Sequence, residues 1–225
     1  MKKRYDLIVF DWDGTVMDST AVIVSSIQAA CRDLNLSVPS DEAARYVIGM
    51  GLGEALRHAV PDAPDSMYEP LVARYRYHFL SQDAAIPLFA EARETIVDLH
   101  EQGYLLAVAT GKSRIGLDRA LASSGLAKYF HATRTADQTF SKPHPAMLLE
   151  IIDELGLTAE RTLMVGDTTH DLQMAINAGV DALGVTHGAH PEDQLRELNP
   201  LALVGGFPEL RAWFKASSKR MPDIM

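Results

Sequence analysis

The chain has 225 residues, of which 47% are hydrophobic and 23% are charged, a composition that predicts a globular protein with a full core and excludes a disordered chain. The formal net charge of -9 and a pI near 5.3 give no overall attraction to nucleic acid or to an anionic membrane, but leave a small anionic substrate open. The single cysteine, Cys31, excludes an internal disulfide and is expected to be a buried thiol.

The amino-terminal residues show no targeting signal. A strand-like run follows Lys2-Lys3-Arg4 at once, without the roughly 7 to 15 apolar residues of a signal peptide. No apolar stretch reaches the roughly 18 residues of a membrane-spanning helix. We therefore expect a cytoplasmic protein with no membrane partner.

Short apolar runs alternate with amphipathic segments along most of the chain. The first run, at 7–10, is bounded by charge and predicts a buried parallel strand with Asp11 starting the turn at its carboxyl end. Four further strands are predicted at 105–109, 162–165, 182–185 and 201–204, with helices at 90–102, 145–155 and 171–178. This alternation predicts an α/β fold with a Rossmann-like, doubly wound parallel sheet, which collects its ligand beyond the carboxyl ends of the strands.

Residues 19–82 interrupt this alternation. They contain helical patterns at 21–34, 41–47, 52–59 and 66–80, and no convincing strand. The sequence therefore predicts a small all-helical cap domain at 19–82, inserted into an α/β core domain of residues 1–18 and 83–225. The tail from 215 to 225 mixes Ser, Lys, Arg and Pro and is expected to fray.

Polar motifs follow three of the predicted strands, and a fourth motif lies between two of them. They occupy 11–15 (DWDGT), 110–112 (TGK), 141–145 (SKPHP) and 166–171 (GDTTHD). The carboxyl ends of parallel strands converge on one crevice, so these motifs are expected to meet there. The candidate site residues in them are Asp11, Asp13, Thr110, Gly111, Lys142, Asp167 and Asp171.

The residue types in these motifs indicate phosphate chemistry. Clustered carboxylates need a compensating cation, and an all-oxygen ligand set favours Mg²⁺. Magnesium suggests phosphate, whose oxygens the Lys142 ammonium and the Thr110 hydroxyl can bind. Asp11 can attack as a nucleophile and form an acyl phosphate. Asp13 can protonate the leaving oxygen and then deprotonate the water that hydrolyses the intermediate.

Each motif taken singly has a plainer structural interpretation. Asp-x-Asp-Gly is a common turn sequence, and Thr110-Gly111 alone is typical of a strand leading into a turn. Lys142 alone would be a solvated surface lysine, while Asp167 and Asp171 suit the N-cap and first turn of a helix. These interpretations do not predict four motifs in order with three of them at strand ends, and that coincidence favours a catalytic site.

The four motifs together resemble those of the haloacid dehalogenase-like hydrolase superfamily, within it the phosphoglycolate phosphatase-like branch, whose helical cap is inserted just after the first motif. The resemblance covers nearly the whole chain and implies a Mg²⁺-dependent phosphatase with an aspartyl-phosphate intermediate. The implied roles are Asp11 as nucleophile, Asp13 as acid and base, and Thr110 and Lys142 as positioning groups. The implied metal ligands are Asp11, the backbone carbonyl of Asp13, Asp167 and, through water, Asp171.

The resemblance leaves several activities open. Asp13 separates phosphatases from the dehalogenases, and the absence of lysine between Lys3 and Lys112 is against a Schiff-base phosphonate hydrolase. Phosphoglycolate is the leading substrate, ahead of pyrophosphate, a sugar phosphate and a nucleoside monophosphate, and a sugar-phosphate mutase is not excluded. A phospho-receiver module of a different class shares the aspartate, lysine and threonine, but lacks the helical insert and the Asp13 acid.

Other polar and glycine residues have weaker functional interpretations. Gly51, in the glycine-rich cap segment, is a flexible connector and a candidate substrate contact. Lys112 is expected to line the crevice, and Ser113 to cap the helix that follows. Four side chains are expected to be solvated cap arginines or ordinary loop histidines: Arg45, Arg57, His187 and His190.

Overall fold

The computed structural model describes residues 3–219, in which six parallel strands form one sheet. The strands are β1 (Leu7–Phe10), β2 (Leu105–Thr110), β3 (Ala132–Thr135), β4 (Thr162–Gly166), β5 (Asp181–Val185) and β6 (Ala202–Val204). Their order across the sheet is β3-β2-β1-β4-β5-β6. The strand order reverses at β1, so the crevice lies where β1, β2 and β4 end, as expected for a doubly wound fold.

Ten α-helices accompany the sheet in the described part of the chain. They are α1 (Thr20–Asp33), α2 (Asp41–Tyr46), α3 (Leu52–Ala59), α4 (Tyr68–Leu80), α5 (Ala92–Glu101), α6 (Arg114–Ser124), α7 (Ala146–Glu154), α8 (Thr169–Ala178), α9 (Glu192–Glu197) and α10 (Phe207–Lys219). Helix α10 continues to Lys219, so the predicted fraying is wrong for residues 215–219. The rest of that tail, residues 220–225, lies outside the described residues. Among residues 3–219, no helix is both long and apolar enough to cross a membrane.

The central strand β1 is apolar at every position because the sheet is covered on both faces. Ile8 and Phe10 pack into one core cluster, whereas Leu7 and Val9 pack into a second cluster on the opposite face. All four side chains are fully buried. A continuous apolar run is what a two-sided parallel strand requires, and this explains why the sequence pattern located β1 correctly.

Strand β3 is not among the five strands predicted from the sequence. It lies at the edge of the sheet and carries the sequence ATRT, in which three of the four residues are polar. The Arg134 side chain pairs with Glu150 at 2.7 Å and Glu154 at 2.8 Å. An edge strand of this kind has no continuous apolar run, and without such a run the sequence pattern does not predict a buried strand.

Helices α1 to α4 lie between β1 and β2 in the chain and make up the helical cap. Buried residues such as Ile27, Leu56 and Leu71 join them to the core cluster on the same side as Phe10. Cys31 is a buried free thiol on α1, as predicted. The cap helices begin at Thr20 and end at Leu80, close to the predicted limits of 19 and 82, while the division into two domains stays a prediction.

Candidate active site

The predicted catalytic residues converge at the carboxyl end of the sheet. Asp11 follows β1, and its backbone N–H donates to the carbonyl of Val165 on β4 at 2.9 Å. Asp167 follows β4, and Asp171 lies in the first turn of α8. Lys142 comes from the loop before α7, and its Nζ lies 2.8 Å from Asp11 Oδ1 and 2.6 Å from Asp171 Oδ1.

Three carboxylates form what we call the acid cluster, Asp11, Asp167 and Asp171. One oxygen of each lies within 4.8 Å of the others, and all three side chains are fully buried. The Oδ1 of Asp167 accepts from the Thr15 hydroxyl at 2.6 Å, and its Oδ2 accepts from the Ala189 N–H at 2.7 Å. Three acids around the single ammonium of Lys142 leave an excess of negative charge.

The two carboxylate oxygens of Asp11 differ in their partners. Oδ1 lies 2.8 Å from Lys142 Nζ in an ion pair, whereas Oδ2 is buried and accepts no hydrogen bond from the described residues. A buried carboxylate oxygen without a hydrogen-bond donor is costly, so Oδ2 suits contact with an external cation or an electrophile. The donor set, all oxygen and net negative, fits Mg²⁺.

Burial and mutual repulsion shift the ionisation of the cluster. Burial raises the pKa of Asp11 well above its usual range, with Lys142 opposing and the other two acids adding to the increase. Burial and the charge of Asp171 raise the pKa of Asp167 to about 7. Burial acts to lower the pKa of Lys142, but Asp11 and Asp171 outweigh it and raise that pKa. A bound divalent cation would favour the ionised acids.

Both carboxylate oxygens of Asp171 already accept hydrogen bonds from other groups of the protein. Its Oδ1 accepts from Lys142, and its Oδ2 accepts from the Thr168 N–H at 3.0 Å in a capping box at the start of α8. The helix N-cap is therefore Thr168 and not Asp167. Both oxygens of Asp171 are committed to holding Lys142 and the helix start, so this geometry favours an indirect relation to a metal.

Asp13, two residues after Asp11, is held by two donors. Its two oxygens each accept from Lys112 Nζ at 2.9 Å, and Oδ1 also accepts from the Ser19 hydroxyl at 2.8 Å. The same Nζ lies 4.6 Å from the ring centre of Phe79 on α4. Lys112, expected only to line the crevice, thus joins the candidate acid to the cap domain.

The loop between α2 and α3, residues 47–51, is here called the cap loop. It contacts the core beside the candidate catalytic residues. A Cβ on Gly111 would lie 2.4 Å from the carbonyl oxygen of Met50, so only glycine allows the loop to approach this closely. The Gly51 N–H donates to the Ser141 hydroxyl at 2.8 Å, a contact that the sequence did not indicate. Thr110 is buried, and its hydroxyl accepts from the Lys112 N–H at 3.2 Å.

A cavity of about 590 Å³ separates the cap helices from the core at this point. Asp13, Thr110 and Gly111 line its core wall, and Gly51 lines its cap wall. The cap arginines Arg45 and Arg57 do not line it. Arg57 pairs with exposed Asp65 at 3.0 Å, in agreement with a solvated arginine.

Gly188, in the loop after β5, is a site residue that the sequence analysis missed. A Cβ there would lie 2.1 Å from Asp167 Oδ2, and the next residue, Ala189, donates to the same oxygen. The loop after β5 reads Thr186-His187-Gly188 and carries no acid, so its residue types do not indicate a site. A glycine just beyond the end of a parallel strand is the sequence signal that points to it.

Replacing Gly188 by Ala is expected to push the Asp167 carboxylate aside and, if the acid cluster binds Mg²⁺, to raise the Mg²⁺ concentration needed for half-saturation by about 10- to 100-fold. The measurement is a calorimetric titration of each protein with Mg²⁺. Gly205→Ala is the matched control, because its nearest neighbour is the side chain of Glu209, an exposed group that can move away. An unchanged half-saturating Mg²⁺ concentration in Gly188→Ala would show that this glycine does not position Asp167.

Two histidines fix the cap to the core behind the acid cluster. The Nε2 atoms of His170 and His190 lie 2.7 and 3.0 Å from the carbonyl oxygen of Tyr46, at the end of α2. His190 Nδ1 accepts from the Thr169 N–H at 3.0 Å, so its ring is neutral with the proton on Nε2. His190 is therefore a buried interface residue, whereas an ordinary loop position was expected. His187 is half-buried, and its Nε2 lies 3.0 Å from the carbonyl oxygen of Thr15.

The neutral ring makes the protein sensitive to acid. Burial, with His170 adding to it, lowers the pKa of His190 from 6.5 to about 4. A depressed folded-state pKa means that this stability is complete above pH 6.5 and is lost as pH falls from 6.5 towards 4. We expect the Tm to fall between pH 7 and pH 5, and to fall less steeply in His190→Gln, which keeps a donor for Tyr46 but does not titrate. Equal slopes in calorimetry would contradict this assignment.

Comparison with known proteins agrees with the geometry. The sequence matches the haloacid dehalogenase-like hydrolase family over residues 8–185. "Probable phosphatase IndB" of Dickeya dadantii is 40% identical and covers 91% of both chains. "Pyrophosphatase PpaX" of Halalkalibacterium halodurans is 30% identical over 90% of this chain and 94% of its own. The phosphoglycolate phosphatase of Agrobacterium fabrum is also 30% identical, over 91% of this chain and 90% of its own. The solved structure of a predicted phosphoglycolate phosphatase from Haemophilus somnus aligns with a TM-score of 0.84 at 24% identity, over 95% of this chain and 99% of its own.

The chain therefore belongs to the haloacid dehalogenase-like hydrolase family. Within it, the chain falls in the phosphoglycolate phosphatase-like branch that its motifs resemble. The predicted fold, a Rossmann-like parallel sheet with a helical cap, is confirmed, as is the predicted enzyme class, a phosphoric monoester hydrolase. The three relatives differ in the activities their names give, so they leave the substrate of this chain open.

Proposed function

We propose that the protein hydrolyses a small phosphate monoester in two steps, with Mg²⁺ as cofactor and Asp11 as the nucleophile. The observation that carries the proposal is the state of the Asp11 carboxylate. It is fully buried, its Oδ1 is ion-paired with Lys142, and its Oδ2 accepts no hydrogen bond from the described residues. A buried carboxylate with one oxygen free of protein partners is suited to attack an electrophile and to share a cation.

The residues that would hold the ion are the side chains of Asp11 and Asp167 and the backbone carbonyl of Asp13. Asp171 contributes indirectly, because both of its oxygens are engaged by other groups. The ion supplies positive charge that offsets the acid cluster and the phosphoryl oxygens. Burial raises the pKa of Asp167 to about 7, so ligand deprotonation and ion binding are linked, and binding strengthens as pH rises.

The proposed chemistry needs two proton transfers, both at Asp13. In the first step an Asp11 oxygen attacks phosphorus, the bond to the leaving oxygen breaks, and Asp13 gives that oxygen a proton. In the second step Asp13 takes a proton from water as the water oxygen attacks phosphorus, releasing phosphate and restoring Asp11. Lys142 and the Thr110 hydroxyl hold the phosphoryl oxygens, and Lys112 and Ser19 orient Asp13.

We propose residues 19–82 as the cap that covers this site and residues 1–18 and 83–225 as the catalytic core. The cap loop meets the core at Gly111 and Ser141, which supports exclusion of bulk water during transfer. A cytoplasmic location is part of the proposal and is supported by the buried free thiol of Cys31. Phosphoglycolate is the first substrate to test, because several relatives at 28–30% identity bear that name.

The test is phosphate release from a panel of monoesters and pyrophosphate, with Mg²⁺ and with chelator, for the wild type and for Asp11→Asn. We expect turnover that requires Mg²⁺ and is lost in Asp11→Asn, which keeps the shape of the side chain. Turnover that survives Asp11→Asn would overturn the mechanism. A stable phosphate on Asp11 without turnover would favour a phospho-receiver module, and isomerisation of a sugar phosphate without phosphate release would favour a mutase.

A further inference from the structure

The cavity between cap and core is large for a two-carbon leaving group. It has a volume of about 590 Å³, within the range of sites that enclose a drug-sized ligand. The candidate catalytic residues Asp13 and Thr110 line part of it. A glycolate moiety would fill only a small part of the remaining space and would leave apolar walls in contact with water.

Those walls are mainly aliphatic and aromatic away from the catalytic end. Ile23 and Ile27 on α1, Val47 in the cap loop, and Tyr75 and Phe79 on α4 all face the cavity. The rings of Tyr75 and Phe79 are stacked with their centres 5.8 Å apart. Apolar walls of this extent are stabilised by burying apolar or aromatic surface of a ligand.

The charged groups on the lining are mostly committed to protein partners. Three cations line the cavity among residues 3–219: Lys112 is held by Asp13, Arg119 pairs with Asp83, and Arg76 is exposed. A carboxylate on the leaving group would need a free cation in the interior to replace its hydration. Of these three cations, only the exposed Arg76 has no ion-pair partner among residues 3–219, so the buried part of the lining provides no unpaired cation.

We propose that the leaving group of the physiological substrate carries a ring, which packs against Ile23, Ile27 and Tyr75 while its phosphate lies at Asp11. This inference rests on the proposed function, because it assigns the leaving-group side of the same site. The Tyr75 hydroxyl, which none of the described hydrogen bonds uses, offers one polar contact to such a ring system.

The experiment compares kcat/KM for three esters of primary alcohols: phosphoglycolate, benzyl phosphate and adenosine 5′-monophosphate. The common type of leaving oxygen keeps chemical reactivity similar, so differences report on binding of the leaving group. We expect one or both ring-bearing esters to exceed phosphoglycolate by about tenfold or more, the scale of a few buried apolar groups.

Two variants test the walls. Gly53 lines the cavity, and a Cβ built on it meets no atom within 4 Å, so Gly53→Phe adds a side chain without a clash at its base. Tyr75→Leu removes a ring from the opposite wall. The readout is a selectivity ratio, kcat/KM for the better ring ester divided by kcat/KM for phosphoglycolate. At least one of the two variants is expected to lower this ratio by about tenfold. Leu149→Phe, at an exposed position of α7 outside the cavity, is the control and should leave the ratio within threefold.

Each outcome bears on the inference separately from the proposed function. Mg²⁺- and Asp11-dependent turnover with phosphoglycolate preferred, or a ratio that neither variant changes, would overturn the inference and leave the phosphatase mechanism intact. No turnover of any of the three esters, nor of the wider panel, would overturn both. A preference for ring-bearing esters that at least one of the two variants reduces would support the inference.

Discussion

Replacing Asp13 by Asn is expected to leave an enzyme that becomes phosphorylated on Asp11 but turns over about 10²- to 10⁴-fold more slowly. Attack by Asp11 on an aryl phosphate needs little proton donation, because an aryloxide leaves readily. Hydrolysis of the intermediate still needs a base for water, and Asp13 is the carboxylate that Lys112 and Ser19 hold at this place. The phosphorylated form should therefore accumulate in Asp13→Asn mixed with phenyl phosphate and Mg²⁺.

Intact-protein mass spectrometry after an acid quench measures the added phosphoryl group, and peptide mapping assigns it. The matched control is the double variant Asp11→Asn with Asp13→Asn, which should stay unmodified. If Asp13→Asn keeps wild-type turnover, Asp13 is not the proton carrier. If the label is found on a residue other than Asp11, the nucleophile has been assigned wrongly.

Much of the fold was predictable because its signals are local. The buried central strands carry unbroken apolar runs, and each predicted limit of β1, β2, β4, β5 and β6 lies within one residue of the observed limit. The cap helix α3 runs from Leu52 to Ala59, as its amphipathic pattern predicts. Strand β3 has no such run, because an edge strand exposes part of its surface and Arg134 is stabilised by acids on α7.

In the candidate site too, some residues carry a local sequence signal and some contacts do not. Asp11, Asp13 and Asp167 could be found from their positions at strand ends, because topology brings those ends together. The pairing of Lys112 with Asp13, 99 positions apart, depends on side-chain paths that no local pattern encodes. The closeness of Gly188 to Asp167 is also a tertiary contact, visible only after β5 has been placed beside β4.

Replacing Lys142 by Met is expected to cost about 3–5 kcal/mol of unfolding free energy at pH 8 in the presence of chelator. Lys142 has no exposed surface, and it supplies the ammonium between Asp11 and Asp171. Methionine keeps the approximate length of the side chain but removes the charge, which leaves buried carboxylates without their counter-ion. The cost should shrink as pH falls from 8 to 5, because acids with a raised folded-state pKa take up protons and lose their charge.

Urea unfolding, followed by the fluorescence of the fully buried Trp12, measures this cost with chelator and with Mg²⁺. Added Mg²⁺ should recover part of the lost stability, because a cation among the same three acids replaces some of the missing charge. Lys128→Met, at an exposed position, is the matched control and should change stability by no more than about 0.5 kcal/mol. A Lys142→Met protein as stable as the wild type at pH 8 in chelator would mean that the acid cluster is not charged in the folded protein. That result would remove the electrostatic argument for a magnesium ion at this site.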